Sequence, residues 1–287
     1  MQDETNQHWR VIGASVRGTS HVATDRACED AHAYLELENG ILLLAVADGA
    51  GSASRAREGS QEAVKAIIVT LGHSLHSSAP QSEAAWKTLL ETGLRETRVA
   101  LEELAKAEET TPESSAEGDS FDIAAEKGYH PRKKPRKNLL REFATTLLVA
   151  VVTPEWLAVA QIGDGFVVSQ QSDLTIHNLT IPEYGTYLNE TFFLTQEDYL
   201  AHVQYAVVAK TEEVRGIALL TDGLELLAMD LANKVAHSPF FVPILEAATQ
   251  TSFTQTDLET FLNSERVCSR TDDDKTLLLA VQHKYVK

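Results

Sequence analysis

The segment ILLLAVADG at residues 41–49 decides the fold, because a fully apolar run ends abruptly in Asp-Gly. Two later segments end in the same way: LAVAQIGDG at residues 157–165 and GIALLTDG at residues 216–223. A fourth apolar run, TLLLAV at residues 276–281, begins just after three aspartates and a lysine. Short apolar runs bounded by turn residues are typical of buried strands. The recurrence therefore predicts carboxylates at the ends of buried strands, where they can converge on metal ions.

Strands and helices are predicted in blocks rather than in strict alternation. The strand-like runs AHAYLELE and ILLLAVA flank Asn39-Gly40, which predicts an antiparallel hairpin whose turn residues both have positive φ. Apolar residues at helical spacing predict helices over residues 53–71 and 82–106. Further strands are predicted over residues 143–152, 156–162, 166–170, 174–177, 203–209, 216–221 and 276–282, and further helices over 224–236, 239–249 and 256–264. This order favours an α+β fold of antiparallel sheets covered by helices over a doubly wound parallel fold.

Length and charge narrow the class of protein. The 287 residues suffice for one large domain, predicted to span residues 1–287. Residues 108–138 have an acidic, turn-rich first half and a basic, proline-broken second half, and this composition indicates a surface insertion within that domain. The net charge of −17 argues against a nucleic acid or an anionic membrane as the main partner. Two cysteines, no signal-peptide pattern and no apolar run of spanning length lead us to expect a cytoplasmic protein.

The carboxylates themselves indicate the kind of ion. Asp48, Asp164 and Asp222 each follow an apolar run and precede glycine, and residues 272–274 are all aspartate. Such side chains, brought together in a poorly solvated site, repel one another unless a cation neutralises them. All these candidate ligands are oxygen donors, and no cysteine or histidine pair has zinc spacing. Mg²⁺ or Mn²⁺ is therefore the predicted cofactor.

The residues in this order resemble the PPM-type (2C-type) metal-dependent Ser/Thr protein phosphatases. The matching motifs are CEDAH (28–32), AVADGAGS (45–52), ATTLLVAVV (144–152), IGDGFVV (162–168), LLTDGLE (219–225) and DDKTLLLAV (273–281). GTSH at residues 18–21 and EYGTYLNET at residues 183–191 are most similar to a bacterial branch. The resemblance implies an α-β-β-α sandwich, in which two packed antiparallel sheets carry helices on both outer faces. It also implies hydrolysis of phosphoserine or phosphothreonine in proteins that a Ser/Thr kinase has phosphorylated.

The resemblance also assigns roles to the carboxylates. Asp48 matches the aspartate that bridges two metals, and the carbonyl of Gly49 matches a backbone ligand. Asp222 and Asp273 match the remaining aspartates of the first metal, while Asp164 matches an aspartate that joins the Asp222 position at a third metal.

An acidic pair lies upstream of these aspartates. Glu29 and Asp30 match the pair that holds water molecules at the metals. Counting all positions, the resemblance implies two ions with room for a third.

Two positions depart from the pattern of the family. Many relatives have a histidine, a proposed general acid, where this chain has Ala50. The arginine that binds the substrate phosphate usually lies four residues before the glutamate of the acidic pair, where this chain has Asp25. Arg26 is the candidate to replace it, with Arg17 and Arg55 as alternatives. Two other functions therefore stay open: a pseudophosphatase that binds phosphoproteins, and a hydrolase of small phosphate esters.

Overall fold

A computed structural model describes residues 8–109, 139–183, 191–209 and 214–283 of the chain. Most of the predicted insertion at residues 108–138 lies outside the described residues, as does most of the EYGTYLNET motif. Within the described ranges, no helix combines the length and the apolar character that crossing a membrane requires.

Twelve strands form two five-stranded sheets and a short ribbon in the described residues. The strands are β1 (His8–Val16), β2 (Ala31–Glu36), β3 (Leu42–Ala47), β4 (Leu147–Val152), β5 (Trp156–Ile162), β6 (Phe166–Gln171), β7 (Ile176–Asn178), β8 (Gln204–Ala209), β9 (Val214–Leu220), β10 (Met229–Asp230), β11 (Val235–Ala236) and β12 (Lys275–His283). The order is β2-β3-β4-β5-β8 in one sheet, β1-β12-β9-β6-β7 in the other and β10-β11 in the ribbon. Every pairing is antiparallel, as the block pattern predicts.

Helices cover the outer face of each sheet. They are α1 (Thr19–Ala23), α2 (Ala56–Leu75), α3 (Glu83–Glu109), α4 (Glu225–Ala228), α5 (Ser238–Thr249), α6 (Gln255–Leu262) and α7 (Glu265–Cys268). Short 3₁₀ helices occupy Leu139–Phe143, Tyr199–His202 and Asp222–Leu224. Residues 143–146, predicted as the start of a strand, therefore lie outside β4, which begins at Leu147.

The apolar runs are continuous because the inner strands are buried on both faces. Along β3, Leu43 and Ala45 pack in the core formed with α2 and α3. Leu42 and Leu44 point the other way, into the core between the two sheets. The second sheet buries its outer face against α5 and α6. The predicted α-β-β-α sandwich is thus confirmed, and a strand buried on both faces explains runs that show no polar alternation.

Two parts of the fold differ from the prediction. The sequence HWRVIGASV forms β1, an edge strand that the pattern did not reveal because polar residues and a glycine interrupt it. The predicted helix over residues 224–236 ends at Ala228, and the chain turns back as the β10-β11 ribbon. The side chain of Asp230 accepts hydrogen bonds from the backbone N–H groups of Ala232 and Asn233, which stabilises this turn.

The hairpin at Asn39-Gly40 is confirmed, but its turn has another form. Gly40 has a φ of 77°, whereas Asn39 is not among the described non-glycine residues with positive φ. The N–H of Gly40 donates to the carbonyl of Leu37 over 2.9 Å, and that of Leu37 donates to the carbonyl of Ile41 over 2.8 Å. One left-handed residue after a β-turn is the arrangement of a hairpin loop longer than two residues.

Candidate active site

Three of the predicted carboxylates meet at one end of the sandwich. Asp48 follows β3, Asp164 lies in the turn between β5 and β6, and Asp222 follows β9. One carboxylate oxygen from each lies within 4.8 Å of the other two. We call these three residues the aspartate cluster. Strands of both sheets supply it, as the repeated Asp-Gly endings predict.

The backbone of Asp48 is fixed by two threonines at the start of the ATTLLVAVV motif. Its N–H donates to Thr146 Oγ1 over 2.9 Å, and its carbonyl accepts from Thr145 Oγ1, also over 2.9 Å. The N–H of Thr146 donates to the same carbonyl over 2.8 Å. These bonds hold the Asp48 side chain at the end of β3.

The glycines after Asp164 and Asp222 are required by close packing of the backbone. A Cβ at Gly223 would lie 1.9 Å from the carbonyl oxygen of Asp274. A Cβ at Gly165 would lie 2.5 Å from the carbonyl oxygen of Leu220. Both distances are below any real Cβ contact, so the turns that carry the carboxylates approach their neighbours only because residues 165 and 223 are glycine.

Burial and mutual repulsion shift the cluster toward its protonated form when no cation is bound. The pKa of Asp48 is raised well above its usual value, first by burial and then by the charges of Asp222 and Asp30. Burial and the charge of Asp164 likewise raise the pKa of Asp222. Burial raises the pKa of Asp164 to about 6.

The cluster has the features of a cation site. Asp164 Oδ1 is buried and has no hydrogen-bond partner among the described residues. A buried carboxylate oxygen without a donor is costly unless a cation contacts it. Three converging carboxylates with one such oxygen fit a hard divalent cation.

The pair Glu29-Asp30 divides between two environments. Asp30 is buried beside the cluster, where Thr221 Oγ1 donates to its Oδ2 over 2.8 Å. Burial raises the pKa of Asp30 to about 7, while hydrogen bonds from Thr221 and others oppose the rise. Glu29 lies outside the aspartate cluster, and both of its carboxylate oxygens accept from Arg26 Nη2, at 2.7 and 2.8 Å.

Arg26, the candidate phosphate ligand, is anchored through one nitrogen. Besides Glu29, its Nη2 contacts the carbonyl of Gly51 at 3.0 Å. The side chain is 38% exposed. Within the described part of the chain, its other two guanidinium nitrogens make no hydrogen bond.

The two alternative arginines have other contacts. Arg17 is exposed, and its Nη1 donates to the carbonyl of Arg26 over 3.1 Å. Arg55 approaches Glu58 at 3.4 Å and stacks on the ring of Phe143. Arg26 is the arginine for which the described contacts include a residue of the predicted acidic pair.

Asp25, which stands where relatives have the phosphate-binding arginine, has an unusual backbone conformation. Asp25 has a φ of 55°, in the left-handed region. Aspartate tolerates this conformation better than most residues with a Cβ. A left-handed aspartate therefore stands at the usual arginine position, and Arg26 directly follows it.

The two neighbouring aspartates before β12 differ in environment. Asp273 is exposed, yet its charge contributes to the raised pKa of both Asp48 and Asp222, so it lies near the cluster. Asp274 is only 3% exposed. Its carboxylate accepts from the backbone N–H of Gly18 and of Glu29, both over 2.6 Å, and from His21 Nδ1 over 2.9 Å.

Several residues that build the site were not predicted as site residues. Asp274 carries no Asp-Gly signature, and only its place before an apolar strand marks it. Thr145 and Thr146 are visible as a hydroxyl pair directly before β4. Gln161 is visible as a lone polar residue inside the run LAVAQIGDG, where a buried side chain needs partners.

Ala50, which stands where many relatives have a histidine, is tightly packed. Ala50 is 6% exposed and lies in a small apolar cluster with Ala53, Ala56 and Ala144. Its N–H donates to the carbonyl of Ala144 over 2.9 Å. This position therefore supplies no proton donor to a substrate.

Comparison with known proteins agrees with this geometry. The sequence profile of the protein phosphatase 2C family matches residues 17–263, and the chain belongs to that family. It is 30% identical over 285 residues to serine/threonine-protein phosphatase 3 of Escherichia coli (strain K12), covering 95% of this chain and 98% of that protein.

Solved structures share the fold at low sequence identity. The serine/threonine phosphatase Stp1 from Staphylococcus aureus aligns with a TM-score of 0.59 at 13% identity, over 96% of each chain. The catalytic domain of the phosphatase PstP, solved with two manganese ions, aligns with a TM-score of 0.56 at 17% identity, over 96% of this chain and 99% of that one. These likenesses support the α-β-β-α architecture.

Proposed function

We propose that this chain hydrolyses phosphoserine and phosphothreonine in proteins with the help of divalent cations. The observation that carries the proposal is the aspartate cluster, whose buried Asp164 oxygen lacks a hydrogen-bond donor in the described chain. Membership of the protein phosphatase 2C family and the Escherichia coli relative support the reaction type.

The chain's own carboxylates would hold the ions, which we propose to be Mg²⁺ or Mn²⁺. Asp48, the Gly49 carbonyl, Asp222 and Asp273 would hold two of them. Asp164 and Asp222 would hold a third. When bound, such ions lower the pKa of a water molecule and offset the charge of phosphoryl oxygens.

Residues around the cluster would orient water and substrate. Asp30, held by Thr221, would accept hydrogen bonds from water at the metal centre. Glu29 would also hold water at the metal centre. Its bonds to Arg26 support a second role, which is to orient the Arg26 guanidinium.

Arg26 is the proposed ligand of the substrate phosphate. Anchoring through Nη2 leaves one edge of the guanidinium available, which suits bidentate recognition of a phosphoryl group. Because Ala50 has no proton to give, a water molecule would protonate the leaving alcohol.

The experiment is a phosphatase assay of the full chain on phosphoserine and phosphothreonine peptides. Activity should require Mn²⁺ or Mg²⁺, disappear with EDTA and fall at least a hundredfold in Asp48→Asn and Asp222→Asn. Asp272→Asn is the matched control, because Asp272 is an exposed aspartate one residue before the proposed ligand Asp273. Activity that survives EDTA, or survives both cluster substitutions, would overturn the proposal.

Two further assay outcomes would distinguish the alternative functions from a protein phosphatase. Turnover of small phosphate esters without turnover of phosphopeptides would identify a small-molecule hydrolase. Binding of phosphopeptides without turnover of any ester would identify a pseudophosphatase.

The domain organisation, the source of the substrates and the cellular location are proposals too. We infer that residues 1–287 form one domain, that residues 108–138 are a surface insertion, and that the substrates are products of a Ser/Thr kinase. The two cysteines, Cys28 and Cys268, are unpaired, which supports a reducing, cytoplasmic setting.

A further inference from the structure

Gln161 is a fully buried polar residue near the end of β5. It is 0% exposed and lies three residues before Asp164 in an otherwise apolar run. A buried side-chain amide is destabilising unless its donor and acceptor atoms have hydrogen-bond partners. The partners of Gln161 therefore show what the residue does.

The amide of Gln161 contacts the backbone on both sides of Asp164. Its Nε2 donates to the carbonyl of Gly163 over 3.2 Å and to the carbonyl of Gly165 over 2.6 Å. It also lies 3.0 Å from the carbonyl of Ile181, and its Oε1 accepts from Thr180 Oγ1. One side chain thus ties the Asp164 turn to the segment that follows β7.

The Asp164 turn depends on such support. Gly163 has a φ of 110°, outside the range that residues with a Cβ readily adopt. Asp164 Oδ1 has no hydrogen-bond partner among the described residues, so the backbone of the turn helps to set the position of this oxygen. The carbonyls of residues 163 and 165 are the two ends of that backbone.

We propose that Gln161 is a positioning residue, which holds Asp164 at the distance from Asp222 that a shared cation requires. The inference rests on the proposed function, because it assumes that Asp164 is a metal ligand. Gln161 itself makes no contact with the ion or the substrate, and it acts through the turn.

Gln204 provides a matched control. It is the partner of Gln161 in the β5–β8 register. Its Nε2 donates to the carbonyl of Ile181 over 2.8 Å, and its Oε1 accepts from the N–H of the same residue over 3.3 Å. Gln204 therefore holds the same neighbouring segment, and among the described residues it makes no hydrogen bond to the Asp164 turn.

The test measures Mn²⁺ binding to the full chain by calorimetry, together with the Mn²⁺ concentration that gives half-maximal phosphatase activity. Gln161→Met keeps the length of the side chain and removes its polar atoms. We expect about tenfold weaker binding of the ion held by Asp164, because loss of a group that orients a ligand typically costs 10–100-fold in metal affinity. Gln204→Met should bind Mn²⁺ as the original protein does.

A double-substitution cycle decides whether Gln161 acts through Asp164. In the Asp164→Asn background, Gln161→Met should cause no further loss of Mn²⁺ binding. An equal loss in both backgrounds would overturn the inference, because it would indicate a general structural effect. Unchanged Mn²⁺ binding in Gln161→Met would overturn it as well.

The outcomes also separate this inference from the function on which it rests. If Asp164→Asn weakens Mn²⁺ binding and Gln161→Met does not, the inference fails while Asp164 stays a ligand. If Asp164→Asn has no effect, both the role of Asp164 and the inference fail, whereas the Asp48→Asn assay still judges the phosphatase activity. Should Gln161→Met not fold, Gln161→Asn is measured instead, since it keeps an uncharged amide but is one methylene too short to make the same contacts with the turn.

Discussion

The hydroxyl of Thr221 donates a hydrogen bond to Asp30 Oδ2 over 2.8 Å, and this bond links the two sheets beside the aspartate cluster. Thr221 follows β9 in one sheet, and Asp30 directly precedes β2 in the other. The same hydroxyl accepts from the N–H of Thr276 over 3.0 Å, so it is engaged as donor and acceptor. A buried hydroxyl with both roles filled orients a carboxylate more firmly than a solvated one does.

Replacing Thr221 by valine should loosen this link. Thr221→Val keeps the shape and leaves Asp30 Oδ2 and the N–H of Thr276 without that partner, so we expect a loss of about 1–3 kcal/mol in the free energy of unfolding. Urea denaturation measures the change. Thr221→Ser keeps the hydroxyl and should lose less than half as much. A larger loss in Thr221→Ser than in Thr221→Val would show that packing of the methyl group, rather than the hydrogen bond, matters.

Asp274 should be more important for stability than its exposed neighbour Asp272. Its buried carboxylate accepts three hydrogen bonds, which tie β12 to Gly18, His21 and Glu29. Asp274→Asn turns one acceptor into a donor that faces N–H groups, and we expect a loss of about 3 kcal/mol in the free energy of unfolding.

Asp272→Asn serves as the matched control for this substitution. A change at an exposed position should stay within about 0.5 kcal/mol. The account of Asp274 is wrong if both variants unfold at the same urea concentration.

The metal-free protein should lose stability as the pH rises. Burial raises the pKa of Asp164 to about 6 and that of Asp30 to about 7, above the value of about 3.9 for an unfolded aspartate. The folded state therefore binds more protons than the unfolded state between these values, and its stability falls as the pH passes through about 6 to 7.

Unfolding with EDTA from about pH 5 to about pH 8 should show this decline, and Mn²⁺ should reverse it, because the cation binds the deprotonated carboxylates. Asp30→Asn removes one of the titrating groups and should flatten the slope. A metal-free protein that is more stable at about pH 8 than at about pH 5 would contradict the electrostatic account.

The sequence predicts the architecture well where strands are buried on both faces. β3 appears as an unbroken apolar run and β9 ends in one, so the carboxylate that follows each of these strands is easily located. The edge strand β1 escapes this pattern because polar residues interrupt it. The β10-β11 ribbon escapes it because turn hydrogen bonds to Asp230 outweigh the helical spacing of apolar residues.

The convergence of the site follows from the sequence only in part. Strand ends predict that Asp48, Asp164 and Asp222 lie near one another, and they do. No spacing rule reveals the bond between Arg26 and Glu29 or the left-handed backbone at Asp25. The contacts of Gln161 depend on which carbonyls the turn presents, and this requires the fold.

Arg26 should affect recognition of the substrate phosphate more than Arg17 does. Arg26→Ala should lower kcat/KM for a phosphopeptide by about 10–100-fold, since a charge-assisted bond to phosphate contributes roughly 1.5–3 kcal/mol. Arg26→Lys should restore little, because an ammonium cannot bind two oxygens in one plane. Arg17→Ala should stay within about threefold of the original enzyme, because Arg17 is not the proposed phosphate ligand and a tenfold loss would need about 1.4 kcal/mol of lost interaction. The assignment moves to Arg17 if its variant shows the larger loss.

Restoring the usual histidine at position 50 should damage the protein rather than improve it. Ala50 is 6% exposed among the small side chains of Ala53, Ala56 and Ala144, so an imidazole would overfill that space. Overpacking of this kind costs about 1–3 kcal/mol. Ala50→His should therefore unfold at a lower urea concentration and show no gain in kcat, while Ala50→Ser, which adds one oxygen, should stay close to the original protein. An Ala50→His variant with unchanged stability and a higher kcat would show instead that the position opens toward the leaving group and that only the proton donor is missing.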